Sequence, residues 1–477
     1  MSQARPRRVL VIGGGISGLS VAWFLRQVPD PPQVTVLEAG ETVGGKLRAG
    51  TLGGFPVDAG AESMLARRPE AVDLVRSSGL ADRLEPPATS SARLMVDGTL
   101  HDFPSGTVLG VPGDMRALAN SRVLTRRGLA RARAERALPA SAQHGDISVG
   151  QYVTTRMGRE VTQRLVEPLL GGVYACRSEM LSLEATMPAI AAARAQGELL
   201  TVAAARIRHA GGSTAHGSAA FMGIRGGLWT LPPHLAATAG VRVLTATIAR
   251  TLSRARDGKW NVVIGSVSEP EVLTAEAVVL AVPAGPAARL LRGAAPGAAS
   301  LLEVVDYASV GLVALAYRHG DVPLGALRGS GHLVPPREGR AVKAVTYSSH
   351  KWTWVRESVP GLSVIRSSVG RLGDSADLRR DDADLVRVAS EDAADVLGVP
   401  ARPVAGSVFR WGGSLPQYAV GHASRAAKAH AVVAEQPGLA LCGAALDGVG
   451  IPACIASARV AADRVLRATA ADATMAR

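Results

Sequence analysis

The chain has 477 residues, with 53 Lys or Arg against 40 Asp or Glu, a net charge of +13, 47% hydrophobic and only 4% aromatic residues. That is an ordinary globular composition, long enough for a large core and two or three subdomains. Cys176, Cys442 and Cys454 stand apart without C-x-x-C spacing, so a disulfide framework or a zinc site is not expected and a reducing, cytoplasmic setting fits; nothing resembles a nucleic-acid module, and no apolar run reaches the roughly 18 residues of a spanning helix.

The first predicted element is the short apolar strand Val9 to Ile12, followed by Gly13, Gly15 and Gly18 in G-x-G-x-x-G spacing. Gly13 makes the tight turn, Gly15 lets backbone amides approach a pyrophosphate, and Gly18 lets a helix from Ile16 to about Arg26 lie close on the sheet. The helix N-terminus, with Gly14, Ile16 and Ser17 beside it, supplies an anion site. Val34 to Leu37 forms the next strand, and Glu38 falls about twenty residues after Gly18, where a carboxylate accepts from ribose hydroxyls and favours an unphosphorylated ribose. The basic run Arg5-Pro6-Arg7-Arg8 before these glycines mimics a signal peptide, but the glycines interrupt the apolar stretch.

Glu38-Ala39 followed by Gly44-Gly45-Lys46 resembles the double-glycine signature of the flavoprotein amine oxidase superfamily, which makes FAD the leading cofactor. That superfamily usually carries Arg after the glycine pair; Lys46 keeps the charge without the planar fork.

From about Leu94 to Ala210 the chain reads as largely helical, with an arginine-rich stretch from Ser121 to Ala137 in which Glu135 is the lone acid. A solvated helix face is the plain reading of that stretch, and a membrane-surface patch the alternative. Val241 to Ile248 and Trp260 to Ile264 read as antiparallel strands joined at Asp257-Gly258, and Ala277 to Val282 as a buried strand ending at Pro283. Val310 to Tyr317, Leu362 to Val369 and a helix near Asp381 to Leu397 suggest a second sheet with a helical layer. Leu439 to Cys442, the glycines from Gly443 to Gly450 and a helix from about Ala453 to Ala468 return the chain to the nucleotide fold.

Further segments are similar to the porphyrinogen oxidases of haem synthesis along nearly the whole chain. They are Phe55 to Ser63 (FPVDAGAES), Glu167 to Tyr174 (EPLLGGVY), Phe221 to Leu228 (FMGIRGGL), Arg410-Trp411, Leu415 to His422 (LPQYAVGH) and Gly448 to Pro452 (GVGIP). The pattern is nearest the bacterial branch that acts on coproporphyrinogen III, with protoporphyrinogen IX as the alternative substrate. The resemblance implies an α/β fold: a discontinuous FAD-binding Rossmann-like domain (1–93, 211–300 and 404–477), a substrate domain of mixed sheet plus helices (301–403), and a helical insert (94–210) that touches membranes in some members, so that membrane contact is at most peripheral.

It also implies FAD contacts at Gly13 to Gly18, Glu38, Ala39, Lys46, Gly60, Ala61, Glu62, Ser63, Ile248, Trp411, Val449, Gly450 and Ile451, and a substrate contact at Gly172. Four propionates on one candidate substrate against two on the other would be told apart by cations, for which Arg67, Arg68 and Lys351 are the candidates. The implied activity is an oxygen-consuming, six-electron oxidation of the tetrapyrrole in which the flavin carries the chemistry and no catalytic side chain is demanded. His332, His350 and His422 are single histidines without such a role, and a handover to a ferrochelatase is a further expectation. Another flavin amine oxidase would place an aromatic near the late glycine turn, where this chain has Ile451-Pro452; a non-catalytic porphyrin-binding flavoprotein stays open at this stage.

Overall fold

The computed structural model describes residues 7–140, 142–210, 220–400 and 402–475. Arg5 and Pro6 of the basic run, and the start of the 211–300 segment as far as residue 219, lie outside them.

A five-stranded parallel sheet holds the nucleotide motif, in the order Arg242–Leu244, Gln33–Leu37, Arg8–Ile12, Ala277–Leu280, Leu439–Leu441. After the exposed Arg8, the strand is apolar and buried from Val9 to Ile12 because both of its faces are covered there. Val9 and Val11 pack into one core with the helix Ile16–Arg26 and the C-terminal helix Ile451–Met475, whereas Leu10 and Ile12 join a second core with Leu290, Leu291 and Trp260. The two ends of the chain therefore close one layer.

The predicted strand from Val241 to Ile248 is divided. Only Arg242–Leu244 is a strand, and it pairs in parallel with Thr35 to Leu37; the antiparallel partners of Trp260–Gly265 are Thr251–Arg254 and Pro270–Ala275. Ala246 takes a positive φ of 49° and its N–H bonds to the Gly40 carbonyl, which ends the strand and carries Thr247 and Ile248 to the crevice beyond Glu38.

A seven-stranded mixed sheet runs in the order Ala405–Pro416, Tyr307–Arg318, Leu362–Val369, Val342–Thr346, Gly331–Leu333, Ala92–Val96, Thr99–Asp102. It thus draws a hairpin from the beginning of the stretch read as helical and a long strand from beyond residue 403. Alternation in Ala92 to Asp102 is too short to distinguish from a helix turn by period alone, and pairing with Gly331–Leu333 decides it. The helix Asp382–Leu397 covers one face of this sheet through Leu385, Ala389 and Ala393, opened by an Asp381 side chain that accepts from Asp384 N.

Helices from Met115 to Ala210 pack around Val153, Leu165 and Leu170. Glu135, the lone acid of the arginine-rich stretch, is fully buried and accepts from Arg156, Leu200 N and Thr201, while Arg122, Arg126, Arg127, Arg133 and Arg136 are exposed. Among the described residues no helix is long and apolar enough to cross a membrane, and no group of side chains could hold a metal ion.

Candidate cofactor and substrate cavity

A continuous cavity of about 710 Å³ runs from the glycine turns of the parallel sheet to the mixed sheet. Backbone builds its nucleotide end. Gly13 has φ +110°, and a Cβ there would strike the Ala281 carbonyl oxygen at 2.5 Å; a Cβ on Gly18 would lie 1.9 Å from the Gly13 oxygen. The double-glycine loop docks directly on this turn, with Gly44 N donating to Gly14 O at 2.8 Å and Gly45 set against Gly15. Glu38 is fixed by accepting from Gly14 N and Gly40 N, both at 2.7 Å, and a carboxylate retains further acceptor capacity for a ribose.

These residues fit the diphosphate of a dinucleotide. Gly15 opens its helix with no side-chain cap, so first-turn amides stay open to an anion. Lys46 lines the cavity without an acidic partner among the described residues, and burial lowers its pKa while the nearby Cys454 opposes that shift. At Gly15 a Cβ would meet nothing closer than Gly45 Cα at 4.0 Å, so the bare Cα faces space left for a ligand.

The late glycine turn is held by a tyrosine. Tyr418 Oη accepts from Gly448 N at 2.8 Å and donates to Ala444 O at 2.7 Å, which sets Val449 and Ile451 on the cavity wall. The Tyr418 ring stacks on His422 at 3.9 Å, and burial pulls the His422 pKa down to about 4, so this imidazole is neutral packing at pH 7. None of His332, His350 and His422 lines the cavity.

The structure brings Gly13, Gly15, Ile16, Ser17, Glu38, Ala39, Lys46, Gly60, Ala61, Gly172, Ile248, Trp411, Val449 and Ile451 together on this wall. Trp411 Nε1 donates to Ala59 O at 2.8 Å, and its ring lies against Gly60. Gly14, Gly18 and Gly450 stand behind the wall as turn and helix-start residues.

Glu62 faces away from the cavity. Its carboxylate takes Lys351 Nζ at 2.8 Å and Arg366 Nη1 at 2.7 Å, and Ser63 Oγ is 3.5 Å from the same Lys351 nitrogen. Lys351, expected at the substrate, is therefore committed to an acid of this chain. Arg68 likewise pairs with Glu70 at 2.6 Å, and Arg67 is exposed outside the lining residues. The sequence reading missed Thr247, Lys343, Ser368 and Cys454 on the wall; the elements of Thr247, Ser368 and Cys454 were in view but nothing local marks which face they show, and the strand that holds Lys343 was not among the predicted elements.

Asp58 lies beside the ion cluster, accepting from Trp229 N at 3.1 Å, and burial raises its pKa from 3.8 to about 7 against the opposing pull of Arg366. The folded chain thus keeps a proton that the unfolded chain releases, so this stabilising contribution is full below about pH 4 and is lost as pH rises through 7. We expect Asp58→Asn, which mimics the protonated acid, to gain about 3 kcal/mol relative to wild type between pH 5 and pH 8. Urea titrations at the two pH values measure it, and a pH-independent difference contradicts the assignment.

Residues 16–466 match the family described as flavin containing amine oxidoreductase. The chain is 36% identical over 474 residues to the coproporphyrinogen III oxidase of Mycobacterium tuberculosis strain H37Rv, covering 97% of this chain and 98% of that one. It is 31% identical over 490 residues to the protoporphyrinogen oxidase of Bos taurus, covering 96% and 98%. A solved structure from Exiguobacterium sp. 255-15 superposes with a TM-score of 0.81 at 30% identity, covering 96% of this chain and 98% of that one.

Proposed function

The chain belongs to the flavin-containing amine oxidoreductases, in their porphyrinogen oxidase branch and with FAD as cofactor, and from that premise we propose that it oxidises coproporphyrinogen III to coproporphyrin III in haem biosynthesis. The observation that carries this reading is the single cavity joining the nucleotide turns to Gly172, which lies in the helix Glu167–Tyr174 and not in a turn, and to the mixed sheet, in a chain similar over almost its whole length to coproporphyrinogen III oxidases.

Bound in the cavity, FAD supplies the acceptor for a hydride from a bridging methylene, a C–H bond activated by the two pyrroles beside it. Six electrons must leave to give the aromatic porphyrin, and three molecules of dioxygen, each taken to hydrogen peroxide, would accept them. The protein's part is positioning and exclusion of water. The amides at Gly15 and the Lys46 ammonium hold the diphosphate; Gly60, Ala61, Trp411 and the turn from Val449 to Ile451 frame the space beyond it. Val310, Leu312 and Leu415 give the substrate end an apolar wall, and no paired acid and base line the cavity among the described residues.

Gly172 remains the proposed substrate contact of the helical region. Of the predicted cations, Arg67 is the one whose side chain has no acidic partner among the described residues; since it is exposed outside the cavity lining, it is retained only as the contact of a propionate that projects beyond that lining. A cytoplasmic setting and delivery of product to a ferrochelatase complete the reading.

Purified protein is expected to be yellow and to turn colourless coproporphyrinogen III into a fluorescent porphyrin in air, faster than it turns over protoporphyrinogen IX. Equal or reversed rates would shift the assignment to protoporphyrinogen IX; bound flavin with no porphyrin formed would leave a porphyrin-binding flavoprotein without this activity.

A further inference from the structure

Lys343 is a buried cation that the proposed chemistry does not use. It sits in the strand Val342–Thr346, where Val342 pairs with Val369 and Ala344 with Ser368, so that Lys343 is the extra residue of a β-bulge. A bulge re-aims the side chain it carries. This one sends Lys343 into the cavity wall beside Ser368 and Leu312, which are themselves cross-strand partners.

The residue is 3% exposed, its Nζ donates to Gly370 O at 2.7 Å, and it forms no ion pair with a carboxylate among the described residues. The charge that bears on it is the like charge of Arg371; burial first and Arg371 second lower its pKa to about 7.

A desolvated ammonium satisfied by one carbonyl is unfavourable until negative charge arrives. The cofactor's diphosphate is provided for at the other end of the cavity, by Lys46 and the Gly15 helix terminus. With adenosine held at Glu38 and Ile248 and the diphosphate at Lys46, the reactive ring would lie further along the cavity, where the mixed-sheet residues Leu312, Lys343 and Ser368 line it. Two-electron reduction with uptake of one proton leaves a net negative charge on that ring, and a cation held in low dielectric stabilises it.

We propose that Lys343 is a positioning residue for electron transfer, its bulge-delivered ammonium favouring the reduced over the oxidised flavin. This rests on FAD as the cofactor and not on which substrate is oxidised.

The test is the midpoint potential of the FAD-loaded, full-length protein, measured by spectroelectrochemical titration at pH 6.5, where the amine is largely protonated. Lys343→Met is expected to lower the equilibrium constant for reduction at least tenfold, about 30 mV for two electrons, whereas Lys343→Arg keeps the wild-type value. If the Met variant does not fold, Lys343→Gln is read in its place. An unchanged midpoint in the neutral variant overturns the proposal, as does an equal fall in the Arg variant, which would make shape rather than charge the cause. A charge-dependent shift in a protein that leaves porphyrinogens untouched would uphold this inference while removing the proposed substrate.

Discussion

Glu62→Gln is expected to cost about 3–5 kcal/mol of stability at pH 7, because it leaves two nearly buried cations without their counter-charge. The Glu62, Lys351 and Arg366 side chains are 12%, 13% and 7% exposed. Burial alone would raise the Glu62 pKa; Lys351 and Arg366 outweigh it and hold the carboxyl down to about 2. The stabilisation is therefore present above pH 4.5 and is lost as pH falls towards 2. The amide isostere still accepts hydrogen bonds, so the expected loss is electrostatic and not a cavity effect.

The same substitution reaches the cavity. Arg366 Nη2 donates to Gly60 O at 2.6 Å, so the cluster ties the Gly60-Ala61 wall to the mixed sheet, and weaker flavin retention is expected beside the lower stability. Urea titration with and without added FAD measures both, and adding Lys351→Met to Glu62→Gln should recover part of the loss. A cost below about 1 kcal/mol would mean that the cluster behaves as a surface pair.

This cluster shows what the sequence withholds. Gly13, Gly15, Gly18 and Glu38 were legible because their spacing, the strand before and the helix after all state one local geometry. Glu62, Lys351 and Arg366 are joined only by the fold, and Lys351 read alone is indistinguishable from a cation waiting for substrate. Lys343 was invisible for a different reason: a bulge breaks the period of two from which a strand's inner face is read. In Val241 to Ile248 the apolar pattern does not say which sheet takes the strand; the Glu38 N–H bond to Leu244 O and the turn at Ala246 decide it.

Gly15→Ala is expected to separate folding from cofactor binding, which its neighbours cannot do. A methyl group at Gly18 would overlap the Gly13 oxygen and one at Gly13 would require φ +110°, so either substitution disrupts the turn itself. Gly15 has φ −76°, ordinary for alanine, and the protein offers a Cβ there no contact closer than 4.0 Å. The flavin-free variant should therefore unfold within about 1 kcal/mol of wild type, a weaker N-cap being offset by reduced freedom in the unfolded chain. The methyl group would stand between the first-turn amides and the diphosphate they are to bind. Titration calorimetry is expected to show FAD affinity at least 100-fold weaker, about 2.7 kcal/mol. Affinity within fivefold of wild type would show that the diphosphate does not approach Gly15, and with it would go the placement of the reactive ring beside Lys343.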